Sequence, residues 1–317
     1  MAASAAMLVF ASGALRAEAE TFECQPPASP LARLICGDPV LRAADSEENG
    51  IYETALSASL DKAALREEER AWFAREILPY NWFADHKMPV NNGEIVDAYH
   101  KREDALRQQT QVWRKLRHGM PGATLAGSCL ALPMYPNNGG CSVAAYAPIE
   151  GAPALRYQLD TYSQPVAHNA VVIFAAMQEP PDTWLPLAVT MSKDANLGAP
   201  QATASPFGTL LTVANSGSGE AGGSALYRLT PEALEDIDDH SWLETLHAHL
   251  PDGLALSPEI TADYAKMQAV ARVKRSQSSC CPVGSTATID LTIENDRIAV
   301  SGVTFGGPEG PPNSNQN

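Results

Sequence analysis

Residues 94–122 read EIVDAYHKREDALRQQTQVWRKLRHGMPG, and the change of pattern at their end decides the fold. Tyr99, Leu106 and Trp113 stand seven apart, with Ile95, Ala98, Ala105, Val112 and Leu116 on the same face. That spacing predicts an amphipathic helix over about 94–118. Gly119-Met120-Pro121-Gly122 then stops the helical pattern. Beyond it, β-branched runs alternate with turns, so the chain reads as α+β, helical before residue 118 and mainly antiparallel strand after it.

Upstream, Asp38-Pro39 is a helix start, with Asp as the cap and Pro at the first helical position. Val40, Leu41, Ala44, Ile51, Ala55 and Leu56 follow at helical spacing, across Gly50. A second helix is predicted over about 62–77, with Leu65, Trp72, Phe73 and Ile77 on one side and Pro79 ending it. Leu78 to Gly93 reads as loop. Three such helices with short connections predict a small antiparallel three-helix bundle over 20–118.

In the second half, strands are predicted at Ala170–Ala176 (AVVIFAA), Leu185–Met191, Thr209–Asn215 and Ala225–Leu229. The clearest hairpin is Thr286–Ile293, a turn at Glu294-Asn295-Asp296-Arg297, and Ile298–Phe305. A helix is predicted over about 241–250, and helix or turn over about 257–273. The expected organisation is an α+β domain over 119–305, followed by a disordered polar tail, 306–317.

The first nineteen residues have the form of an export signal: an apolar stretch from Ala5 to Leu15, then Ala17-Glu18-Ala19 as a small-x-small cleavage site. The stretch is too short to span a bilayer, so stable membrane insertion is not expected. Six cysteines follow, Cys24, Cys36, Cys129, Cys141, Cys280 and Cys281. An even count behind an export signal reads as disulfides, which places the chain outside the reducing cytosol, periplasmic or secreted. Cys24/Cys36 and Cys129/Cys141 are each twelve apart and can each close a local loop. Cys280 and Cys281 can form a vicinal ring, or one of them can staple to the Cys129/Cys141 segment.

The 317 residues are 45% hydrophobic and 19% charged, the balance of a globular protein, with a net charge of −15. Residues 20–118 carry 13 Lys and Arg against 17 Asp and Glu; residues 119–317 carry 8 against 19. That field argues against nucleic acid and anionic membranes, and favours a cationic partner or simple solubility. Oligomeric state is not legible.

The helical half resembles the N-terminal domain of the LprI-type lysozyme inhibitor family of exported bacterial proteins. The resemblance runs through Phe22-Glu23-Cys24, Ser29-Pro30, Ile35-Cys36, Asp38-Pro39, Leu41, Asp45, Asn49, Tyr52, Leu65, Glu69-Arg70, Trp72 and Arg75, then more weakly Tyr99, Arg102 and Leu106. It covers about 21–109. Two positions depart from the pattern. The stretch Arg75 to Ile95 holds no cysteine where the family has a second pair, and Glu48 stands where it has an apolar residue. The aromatic connection of Tyr80, Trp82 and Phe83 is expected to compensate by packing. The resemblance implies a bundle stapled near Cys24 and Cys36 and a lysozyme or other cationic protein as partner, bound rather than chemically altered.

Chemical motifs are otherwise sparse. His240, His247 and His249 beside Asp236, Asp238 and Asp239 suggest metal or acid–base work, yet Ser241-Trp242-Leu243-Glu244 is better read as a capping box. The run Ser216–Ser224 (SGSGEAGGS) lacks the P-loop Lys and the nucleophile-elbow order, so no cofactor is expected. No short Cys-x-x-Cys knuckle is present, so no metal is expected either. Trp72 and Arg75 share a helix face, where Arg75 can stack on the indole, although core packing with a terminal cation is the better reading. Binding, not catalysis, is the expected activity.

Overall fold

The structure is a computed structural model and describes residue Cys24 and residues 29–133, 140–163, 168–192, 197–214, 225–230, 233–275 and 286–306. The export signal, Cys280, Cys281, the SGSGEAGGS run and the tail beyond Gly306 lie outside the described residues, as do the side chains of Glu244, His247, Pro258 and Arg275. An N-terminal helical region is followed by antiparallel sheets, an α+β fold.

Helix α1 (Pro30–Gly37) begins where the Ser29 side chain accepts from the Ala32 amide. Helix α2 (Pro39–Ala58) begins at Asp38, whose carboxylate accepts from the Val40 and Leu41 amides. Helix α3 (Lys62–Trp72) is capped by Asp61 and runs into a π-turn at Phe73–Ile77, closed by the Leu78 amide on the Phe73 carbonyl. Pro79 does not simply stop this segment. It starts a further helix, α4 (Tyr80–Asp85), inside the stretch expected to be loop, because its fixed φ of −56° suits a first turn. Helix α5 (Asn92–Leu116) completes the bundle.

Consecutive long helices run antiparallel. At one end Asn92 donates to Asp38 Oδ2 at 2.6 Å, and Trp72 lies against Tyr99 with ring centroids 5.6 Å apart. At the other end the Arg117 guanidinium donates to the Ser57 and Ala58 carbonyls. The first end, called distal below, also holds α1, whose Leu31 amide donates to Asn81. The second, proximal end packs Ala58, Leu60, Trp113 and Leu116 onto a sheet.

That sheet has the order β1-β5-β4-β3-β2, from β1 (Met120–Pro121), β2 (Ser142–Ile149), β3 (Ala152–Tyr162), β4 (His168–Ala176) and β5 (Thr183–Ser192). A short helix, α6 (Gly122–Gly127), covers one side. At Gly119 the chain passes so close to Met177 and Thr183 that a Cβ would collide with both side chains, which explains a glycine at the junction. A second sheet is the meander β6 (Gln201–Ser205), β7 (Gly208–Val213), β8 (Ala225–Leu229) and β9 (Leu234–Ile237). A third is β10 (Leu254–Asp263), β11 (Gln268–Arg275), β12 (Thr286–Glu294) and β13 (Arg297–Gly306). Helix α7 (Ser241–Leu246) and a 3₁₀ turn at His247–His249 stand between the last two.

The AVVIFAA run is continuously apolar because both faces of β4 are covered. Ala170, Val172 and Phe174 face the helices, while Val171 and Ile173 meet Leu211, Val213 and Tyr227 of the second sheet. The same parity recurs one layer on, where Leu210 and Leu226 turn to Trp242, Ile289 and Ile298. The helix or turn expected over 257–273 is two strands, β10 and β11, with Ala269, Ala271 and Val273 inward and Met267 at φ 51° in the turn. Pro258 falls on β10, an edge strand whose pairing slips between Leu256 and Ile260, where proline is tolerated. The β12–β13 turn falls at Glu294–Arg297 as expected, with Asn295 and Asp296 both at positive φ.

Candidate functional site

Asp45, Asn49, Glu69, Trp72, Tyr99 and Arg102 form a largely buried polar network between α2, α3 and α5. Tyr99 donates its hydroxyl to Asp45 Oδ1 at 3.0 Å, and Asn49 donates to the Asp45 carbonyl at 2.7 Å. Arg102 spans to α3, with Nε 3.0 Å from Glu69 and Nη1 2.5 Å from Glu68, and lies 5.9 Å from the centre of the Trp72 ring. Burial favours a neutral Arg102, but the Glu69 and Glu68 charges outweigh it and hold its pKa above the usual value. Stacking on Trp72 therefore falls to Arg102. Arg75, the stacking candidate three residues along, is exposed and pairs with Glu76 at 2.8 Å. Trp72, Tyr52 and Pro39 serve packing and helix initiation.

Glu48 is buried in this network and bonds to Glu69. Burial, reinforced by the Glu69 charge, pushes its carboxyl up to about 8, and burial also raises Glu69. Burial therefore favours the protonated, neutral form of Glu48.

The distal end presents a different chemistry. Leu78, Trp82, Phe83 and Met88 are 48%, 53%, 36% and 45% exposed, four large apolar side chains within eleven residues. Trp82 meets Phe83 edge-on at 5.2 Å and stacks on His86 at 4.5 Å. The aromatic connection thus packs only partly inward. Tyr80 joins the core of α1, α2 and α5, whereas Trp82 and Phe83 face solvent. Cys24 and Cys36 are joined at a Cα separation of 5.5 Å, which ties the chain ahead of α1 to its end.

At the proximal end a cleft of about 910 Å³ opens where the α2–α3 junction, β5, and the β8–β9 pair meet. Its polar wall is Asp61, Arg66, Thr190, Tyr227, Asp236 and the Asp238–Ser241 corner. Asp61 uses Oδ1 to cap the Ala64 amide at 2.9 Å. Burial, against the pull of the Ala64 amide, pushes its carboxyl up to about 7. Arg66 Nη1 lies 3.3 Å from Asp236, whose carboxyl is raised by burial despite that cation. The Tyr227 hydroxyl sits 2.7 Å from Thr190 Oγ1. Burial raises this phenol first, and the charges of Asp61, Asp236 and Asp239 raise it further.

Among the described side chains, the histidines and aspartates of this segment bring no three ligand atoms together. His240 pairs with Asp239 at 2.6 Å, and that bond raises its pKa. The amides of His240 and Ser241, at the entry to α7, go to Asp238 Oδ1, both at 3.0 Å, and the expected capping box turns on the Glu244 side chain, outside the described residues. Asp238 precedes the helix in an Asx turn, so its carboxylate reaches both amides. Sequence reasoning picked out Asp236, Asp238, Asp239 and His240 but not Asp61, Arg66, Thr190 or Tyr227. The available signal was Asp61 as a capping residue ahead of α3.

Among the described residues, one group of ligand-type side chains lies within 4.8 Å: Cys129, Cys141 and Asp160. Its two sulfurs are bonded to each other at 2.04 Å, which leaves no thiolate for a metal. The two disulfides fit an extracytoplasmic protein. Among the described residues no helix is long and apolar enough to cross a membrane.

No protein-family model and no curated protein matches this chain. Among solved structures, the Cpx pathway activator NlpE from Escherichia coli aligns at 12% identity over 54% of this chain and 96% of its own, with a TM-score of 0.12. No fold relationship follows from a score that low.

Proposed function

We propose that this chain is an exported binding protein of the bacterial cell envelope, periplasmic or secreted, whose distal bundle end docks a cationic muramidase of the lysozyme class and blocks its groove. The observation that carries the reading is the exposed set Leu78, Trp82, Phe83 and Met88 at the bundle end where the Leu31 amide of α1 bonds Asn81. Contiguous exposed apolar side chains mark interaction surfaces, and Trp is the residue type most often dominant in them. The LprI resemblance of the same helices and the net charge of −15 support the choice of partner. Muramidases cleave between two carboxyls in an open groove, so occlusion needs a rigid apolar element and no chemistry of the inhibitor's own.

The test is lysis of cell-wall suspensions by c-type lysozyme in the presence of the chain from residue 20 onward. Inhibition at micromolar excess is expected, weakening on Trp82→Ala and Phe83→Ala, with an association rate that falls as salt is added. Full lysozyme activity at that excess overturns the muramidase reading. Affinity capture of a different envelope protein through the same two aromatics then selects a non-catalytic interaction module.

A further inference from the structure

Gln158, Asp160 and Tyr162 alternate along one face of β3, all three fully buried, and each bonds the segment that carries Cys129. Gln158 Nε2 donates to the Leu125 and Ser128 carbonyls, and the Tyr162 hydroxyl donates to the Leu130 carbonyl at 2.8 Å. The Asp160 carboxylate accepts from the Leu130 amide. The backbone is thus pinned on both sides of Cys129. Asp160 is held with a carboxylate oxygen within 4.8 Å of the Cys129 and Cys141 sulfurs.

A carboxyl is a costly choice for that position, because burial without a cation penalises its charged form. Its register partners across the sheet are Val143 and Ala170. Tyr162, 3.4 Å from Oδ2, and the two cysteines are the titratable groups that face it. Among the described residues no charged group from the helices or strands packed on this face acts on it. Burial pushes the acid up to about 7, against the pull of Tyr162 and the Leu130 amide. An amide of the same shape would avoid the cost of the charge. What only the carboxyl offers is a transferable proton, and it offers it beside a disulfide.

The two sulfurs differ in their approach. Both cysteines are partly buried against the core where the helices meet the first sheet. Cys141 immediately precedes β2, the edge strand of that sheet, and stands between exposed Gly140 and Ser142. Cys129 is the one tied down beside the acid.

We infer that Cys129–Cys141 is a thiol–disulfide exchange site for a protein dithiol, opened by attack at Cys141, with Asp160 giving its proton to the departing Cys129 sulfur. The incoming thiolate bonds to Cys141 Sγ as the S–S bond breaks. The electron pair of that bond goes to Cys129 Sγ, which turns about its Cα–Cβ bond to take the Asp160 proton. The partner's second thiolate then attacks the partner sulfur of the mixed disulfide and releases Cys141, which is protonated from solvent. Two electrons pass from the dithiol, which ends as a disulfide, to Cys129 and Cys141, which end as thiols. The proton that the first partner thiol lost on ionising restores Asp160. In the reverse direction the Asp160 carboxylate takes the Cys129 proton and makes the attacking thiolate.

The test is reduction of the folded mature chain by dithiothreitol in native buffer, with acid quench, thiol alkylation and peptide mass spectrometry following each disulfide separately. Cys24–Cys36 in the same tube reports the thiolate content of the reductant. The rate of Cys129–Cys141 opening relative to that control is expected to fall about tenfold or more between about pH 6 and about pH 9, as Asp160 loses its proton. Asp160→Asn is expected to slow opening about tenfold near pH 6, to converge with the wild type near pH 9, and to leave Cys24–Cys36 unchanged. Glutathione, a single thiol, is expected to leave its adduct on Cys141. The proposal is overturned if Cys129–Cys141 opens only when urea unfolds the chain, or if the wild-type rate ratio is flat with pH. An effect of Asp160→Asn that is equal at every pH marks a packing role and also overturns it, as does an adduct on Cys129. None of these residues lies at the distal end, so exchange and lysozyme inhibition stand or fall separately.

Discussion

Tyr99 gives its hydroxyl proton to Asp45 across the axis of the bundle, at 3.0 Å and over 54 residues of sequence. The bond fixes the register of α2 against α5, since a slip by one residue would turn a buried phenol and a buried carboxyl away from each other. Burial, together with the Asp45 charge, keeps the phenol protonated far beyond its ordinary range. Tyr99→Phe keeps the ring against Trp72 and deletes only the donor. A loss of about 1.5–3 kcal/mol is expected, the range for a bond to a charged acceptor. Urea unfolding of the two proteins measures it, and a difference below about 0.5 kcal/mol would make the contact incidental.

The pH dependence of stability should run opposite to that of most acidic proteins. Glu48 has its carboxyl raised from 4.5 to about 8, and Asp61 and Asp160 theirs from 3.8 to about 7, burial being the leading cause in each. The folded chain therefore holds protons that the unfolded chain has released. Stability is greatest below the unfolded values and declines as pH rises from about 4 to about 8. Glu48→Gln keeps the shape and one donor while removing the charge. At pH 8 the variant is expected to exceed the wild type by about 2 kcal/mol, with the two converging near pH 5. Chemical denaturation at both pH values decides the sign.

Periodicity made the bundle and most strands legible because each depends on local pattern. The seven-residue spacing of Tyr99, Leu106 and Trp113 located α5, and the AVVIFAA run located β4. The misses have physical causes. Pro79 both stops one helix and starts another, and sequence favoured the stop. β10 lies at a sheet edge and its pairing slips between Leu256 and Ile260, so no unbroken alternation marked it as a strand. The cleft was only half legible. Asp236 to His240 are contiguous, but Asp61 and Arg66 join them through the docking of α3 on β9, seen in the Arg66–Asp236 contact 170 residues apart. No local pattern encodes such a meeting.

The two faces of β4 offer a check on the layering. Phe174 faces the helices and Ile173 faces the second sheet, and both are buried. Phe174→Ala should cost about 3–5 kcal/mol and Ile173→Ala about 2–5 kcal/mol. Because the two side chains enter different cores, the double variant should lose nearly the sum of the single losses. Thermal or urea unfolding of the three variants shows whether the energies add. Strong coupling would mean that both sit in one core.

The two disulfides should differ in what they protect. Cys129–Cys141 borders the core shared by Trp113, Leu125, Leu130, Tyr162 and Phe174, where helices meet the first sheet. The loop it closes has a sequence separation of 12, for which a loss of about 3 kcal/mol is expected when both cysteines become Ser. Cys24–Cys36 closes a loop of the same separation at the distal end, where it tethers the chain ahead of α1 and adds nothing to that shared core. Replacing Cys24 and Cys36 should loosen α1 locally, exposing its amides to hydrogen exchange, while the global melting temperature changes less than in the Cys129/Cys141 variant. The Leu31–Asn81 bond links α1 to α4, so the same loosening should reach Trp82 and Phe83 and weaken any docking through them. Hydrogen exchange read alongside lysozyme inhibition separates the outcomes. Equal global destabilisation by the two replacements would mean that α1 is integral to the main core instead of a stapled brace for the aromatic surface.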